Sequence, residues 1–95
     1  MAKLYITEFT GAKNGGTIPV TPPLAEQAVT FTGTAAQSAA FNAKTTLVRI
    51  QPDAICSVAF GSNPTATANN QRMTAGQTEY FTVVPGQKVS AITNS

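Results

Sequence analysis

Apolar and polar side chains alternate along most of this chain in short runs, broken by Gly, Pro, Asn and Asp. Period-two alternation sends successive side chains to opposite faces of an extended strand. The runs predict strands over 3–9, 28–32, 45–51, 54–60, 79–84 and 88–93, with 38–42 a weaker candidate. Thr46, Val48 and Ile50 share one face of their run, and Ala54, Cys56, Val58 and Phe60 share one face of the next. Short strands at spacings of roughly 8–12 residues mark an all-β sandwich or barrel. Only 34–40, Thr-Ala-Ala-Gln-Ser-Ala-Ala, has helical propensity, and it is too short to hold a helix alone.

The turn residues agree. Val84-Pro85-Gly86-Gln87 suits a type II turn, with Pro presetting φ and Gly taking the positive φ that follows. It is expected to join the last two strands as a hairpin. Gln51-Pro52-Asp53-Ala54 is expected to make a second hairpin, bringing Val48 and Ile50 near Cys56 and Val58.

Two segments stand apart. Residues 1–26 hold a strand, a Gly-rich turn at 11–16 and three prolines, Pro19, Pro22 and Pro23. Proline lacks the backbone donor of a central strand and favours edge or polyproline geometry. The segment reads either as an extended arm lying along a surface or as an ordered edge strand, with residues 27–95 forming the β domain. The connection 61–76 is long for so small a domain, and such loops are functional or carry structure of their own. Arg72 and Met73 could form a contact there; alternatively Met73 is core and Arg72 is solvated.

Composition narrows the chemistry. The chain has 95 residues, and charged residues make up 11% of them, against about 25% in an average domain. Fifteen Thr, six Asn, six Gln and five Ser make the polar part mostly neutral. A net charge of +2 is no basic patch, so nucleic acid is not an expected partner. No stretch reaches the roughly 20 apolar residues of a membrane-spanning helix. The N-terminus lacks the apolar core of a secretory signal, so neither a membrane partner nor export is expected.

With no His, the usual hydrolytic base and the commonest metal ligand are missing. The four carboxylates, Glu8, Glu26, Asp53 and Glu79, share no motif. Cys56 lies mid-strand on an apolar face, where a thiol is buried and not activated. The Gly-rich stretch 11–16 lacks the pattern of a phosphate loop. The expectation is a non-enzyme with no catalytic, metal or cofactor-binding residues and no cofactor.

The segment 47–67, Leu-Val-Arg-Ile-Gln-Pro-Asp-Ala-Ile-Cys-Ser-Val-Ala-Phe-Gly-Ser-Asn-Pro-Thr-Ala-Thr, resembles small structural proteins encoded beside the major capsid protein in tailed bacteriophages. So do Arg72-Met73-Thr74-Ala75-Gly76, Glu79-Tyr80-Phe81 and the stretch 84–92. The resemblance covers roughly residues 45–93. It implies a virion component of the capsid cement or decoration type, with a jelly-roll-like antiparallel β-sandwich and an extended N-terminal arm. The expected partners are the major capsid protein and the chain itself, as dimer or trimer. The expected place is the capsid surface, after synthesis in the host cytoplasm.

Tyr5, Ile6, Phe9, Ile18 and Val20 are then the candidate contacts of the arm, beside Arg72 and Met73 of the loop. Deleting 2–23 is expected to leave a folded domain that no longer assembles. The alternative is a ligand- or carbohydrate-binding β-sandwich from a phage tail or receptor-binding apparatus.

Overall fold

The computed structural model describes residues 2–10, 12–13, 18–19 and 23–94, with backbone alone at 12–13 and 18–19. All regular structure among these residues is β. The strands are β1 (Ala2–Phe9), β2 (Ala12–Lys13), β3 (Ile18–Pro19), β4 (Ala25–Phe31), β5 (Ala36–Gln37), β6 (Leu47–Pro52), β7 (Cys56–Gly61), β8 (Gln71–Met73), β9 (Glu79–Thr82) and β10 (Lys88–Thr93). Two four-stranded antiparallel sheets, in the orders β4-β1-β6-β9 and β5-β10-β7-β8, form a sandwich, and β2 and β3 pair separately.

The alternation read from sequence supplies the core. Leu4, Ile6, Val29, Phe31, Val48 and Ile50 turn inward from the first sheet; Cys56, Val58, Met73, Val89 and Ala91 meet them from the second. At the β9 side Phe60 and Phe81 pack as a tilted ring pair, 4.9 Å between centroids. At about 25 cal/mol per Å² of apolar surface removed from water, this shared interior is the main force holding the sheets together.

Several expectations change. Ala2–Phe9 is not an arm. It lies inside the first sheet, with Tyr5 opposite Ala28 on one side and Gln51 on the other. Nor does a boundary fall at residue 26, because β4 runs across it. Deleting 2–23 would remove a central strand and the buried Leu4, Ile6 and Glu8, so loss of folding is the expected result.

Neither expected hairpin forms. β6 and β7 belong to different sheets, as do β9 and β10. The turn at 84–87 is present: Gly86 has φ +85° and Gln87 N–H donates to Val84 C=O at 3.2 Å. At 51–54 the chain bends after β6, and Asp53 N–H donates to Lys3 C=O at 3.0 Å. Each connection carries the chain across the sandwich, so Val48 and Ile50 face Cys56 and Val58 through the core.

Residues 38–42 are not a strand. They follow β10 irregularly, with Ser38 N–H on Val89 C=O and Phe41 N–H on Gln87 C=O, both 2.8 Å, and Phe41 is buried. Within 34–40, the structure forms the two-residue β5 in place of any helical turn.

Candidate interaction face

The outer faces of the two sheets differ. On the second, Ser57 and Ser90 are fully buried although their strand neighbours Val58, Val89 and Ala91 point to the core. The long loop accounts for this. Ala66 N–H donates to Ser90 Oγ (3.0 Å), and Asn94 Nδ2 donates to Ser57 Oγ (2.6 Å) and to Ala68 C=O (3.2 Å). Gln37 Nε2 reaches Asn63 Oδ1 (2.9 Å) and Pro64 C=O (2.7 Å), and Thr67 N–H donates to Asn70 Oδ1 (2.7 Å). The loop is therefore a cover laid over the second sheet, held by neutral side-chain amides and hydroxyls.

The outer face of the first sheet stays open around its centre. Register aligns Glu26, Thr7, Arg49 and Tyr80 in one row across β4, β1, β6 and β9. Tyr5 lies one step along β1, diagonal to Arg49. Diagonal positions are about 7–8 Å apart, within reach of long side chains. Tyr5 is 48% exposed and Tyr80 49%, so two tyrosines occupy positions on either side of Arg49 on a solvent-facing surface. Tyr, Trp and Arg are the side chains most enriched where proteins bind one another. The rest of the open face combines neutral positions, with Ala28, Thr30 and Thr82 exposed and Gln51 half-buried, with two exposed charges, Lys3 and Glu26.

The other candidates divide by burial. Ile6 belongs to the core, and Met73, opposite Cys56 on β8, is enclosed in it. Phe9 is 4% exposed; it sits opposite Leu47, apart from the main core cluster. These three side chains are enclosed by the chain itself, which removes them as surface contacts. Arg72 is exposed on β8, opposite Ser57. Ile18 is in the short β2–β3 pair with its side chain undescribed, and Val20 lies outside the described residues.

Glu8 is the polar residue whose part alternation could have shown and composition did not. It shares the inward face of β1 with Leu4 and Ile6 and is 2% exposed. Its Oε1 accepts from Asn42 N–H and Thr45 Oγ1, both 2.8 Å, and its Oε2 accepts from Gln27 Nε2 at 3.0 Å. Gln27 in turn accepts from Ala39 N–H (3.0 Å) and donates to Ala39 C=O (3.4 Å). A carboxylate so occupied is a clamp tying 39–45 to β1 and β4.

Cys56 is fully buried, and burial pushes its thiol from 9.0 up to about 11, which makes it a packing group and not a nucleophile. Among the described residues no cluster of His, Cys, Asp and Glu is placed to hold a metal ion. No protein-family model matches the chain, and comparison with curated proteins and with solved structures gives no match.

Proposed function

We propose that this chain is a structural virion protein of the capsid cement or decoration type, which attaches to the lattice of a major capsid protein and stabilises it. The observation that carries the reading is the asymmetry of the sandwich. One outer face is sealed by the chain's own loop, while the other presents Tyr5, Arg49 and Tyr80 among mostly uncharged side chains, with Lys3 and Glu26 toward the β4 side. The resemblance of residues 45–93 to small phage-head proteins supports the same reading.

A face four strands wide spans about 19 Å, and five or six residues along it span about 18 Å. That is about 350 Å², less than the ~800 Å² per partner of a standard interface. Attachment through it is weak for one copy and strong for a protein bound repeatedly to a lattice, where linked sites multiply affinity. Neutral hydrogen-bonding groups also keep their strength in salt that screens exposed charges.

Co-sedimentation with empty tailed-phage capsids assembled from a purified major capsid protein tests this. The expected outcome is saturable binding that persists at high salt, raises the capsids' melting temperature and is lost in a Tyr5→Ala/Tyr80→Ala variant. Chain left in the supernatant at saturating concentration would refute it.

The Tyr5–Arg49–Tyr80 grouping also favours a second reading, a saccharide-binding module of a tail or receptor-binding apparatus. Phenol rings offer apolar faces to sugars, and Arg offers donors. Glycan-array binding without capsid binding would select it.

A further inference from the structure

We propose that the outer edge of β9 is a strand-addition site and that its occupant is β9 of a second copy, joined about a two-fold axis at Phe81. The first sheet ends at β9, and among the described residues only β6 pairs with it. Val83 N–H donates to Thr46 C=O, which sets the alternation of the ladder. Glu79, Phe81 and Val83 direct their backbone groups to β6; Tyr80 and Thr82 direct theirs to the open side.

An open edge is a template for pairing, and proteins usually blunt it with Lys, Pro or a bulge. This edge has no such device between residues 80 and 84. Tyr-Phe-Thr-Val-Val contains no charge, Gly or Pro, and aromatic and β-branched residues are the strongest strand formers. Tyr80 is 49% and Val84 57% exposed, and Phe81 and Val83 are only partly buried against the core.

The segment is complementary to itself. Antiparallel pairing about Phe81 sets Tyr80 opposite Thr82 of the second copy and stacks Phe81 beside its equivalent, with no like charges opposed. Hydrogen bonds then run between the outward backbone groups of Tyr80 and Thr82 in each copy. The product is one continuous sheet with twice the four strands of the first sheet.

Closure at two copies follows from the two-fold axis itself: each copy offers its β9 edge to the other, and no second β9 edge is left to recruit a third copy. The contact therefore makes a closed dimer and not a fibre.

Sedimentation velocity on the purified chain, over a series reaching the millimolar range, tests the proposal without reference to any capsid. The expected mass is twice 9.8 kDa at the upper end of the series. Thr82→Pro removes the outward donor and spares the ladder to β6, so it should sediment as a folded monomer. A wild-type monomer throughout, or a dimer that Thr82→Pro leaves intact, overturns the proposal.

Should Thr82→Pro fail to fold, Phe81→Cys decides. Non-hydrogen-bonded partners have Cα atoms about 4.5 Å apart, within disulfide range. Oxidised glutathione should convert Phe81→Cys to a covalent dimer and leave Tyr80→Cys monomeric, since Tyr80 faces Thr82. Failure of Phe81→Cys to cross-link, or equal cross-linking by both variants, overturns the proposal.

Discussion

Replacing Glu8 by Ala removes both oxygens of the clamp and leaves the Thr45 hydroxyl in a closed space, while Asn42 is exposed and its N–H can reach water. Thr45 is fully buried and cannot turn to water. A buried donor without a partner costs about 1–3 kcal/mol, and the part-buried bond of Asn42 adds about 0.5–1.5 kcal/mol. Gln27 keeps its bonds to Ala39 and adds little. Loss of a buried carboxylate also relieves its desolvation, which offsets part of the cost. The net expectation is about 2 kcal/mol.

For a domain of this size each kcal/mol lowers the melting temperature by about 4–8 °C, so the variant should melt about 8–16 °C lower. Glu8→Gln keeps one acceptor toward Asn42 and Thr45 but sets its amide against that of Gln27, and should cost only about 1 kcal/mol. Urea unfolding followed by circular dichroism measures both. In a double-mutant cycle, Glu8→Ala and Thr45→Val should couple by about 1–2 kcal/mol, because they remove two ends of one bond. A cost under 1 kcal/mol for Glu8→Ala, with additive effects in the cycle, would refute the clamp.

Cys56 should resist thiol reagents in the native protein and react fully in denaturant, read as the rate of colour release by a disulfide reagent. Its native value near 11 lies above the 9.0 of the unfolded chain, so the neutral thiol's contribution is complete below pH 9 and fades as pH rises through 11. The stability gap between wild type and Cys56→Ala should shrink over that window by at most about 2.7 kcal/mol. Met73→Ala should destabilise by about 2–5 kcal/mol in urea, since Met73 is enclosed between the sheets; a contact-loop residue would cost almost nothing. Gly86→Ala should cost about 1–2 kcal/mol in thermal unfolding, because an L side chain strains the backbone at φ +85° even where there is room for it.

Local geometry is what the sequence by itself determined. The alternation of Leu4, Ile6 and Glu8, of Val48 and Ile50, and of Cys56 and Val58 fixes which side of each strand faces inward, because the period of a strand is two wherever it lies. Val84-Pro85-Gly86-Gln87 fixes a turn with a positive φ, because proline and glycine act on their own dihedrals. The burial of Cys56 was legible for the same reason.

Which strand pairs with which was decided only by tertiary structure. A tight turn reverses the chain equally well within a sheet and between two sheets. The choice rests on burying inward faces from residues far apart in sequence, and it sent β7 and β10 across the core from β6 and β9. The same non-local burial drew the N-terminal run, Ala2–Phe9, into the middle of a sheet, since Leu4 and Ile6 help fill the core.

The candidate face was legible only in its parts. Tyr5, Arg49 and Tyr80 lie far apart along the chain, and only the register of β1, β6 and β9 brings them together. That the other face is closed depends on the loop settling over Ser57 and Ser90, a contact that no spacing in the sequence encodes.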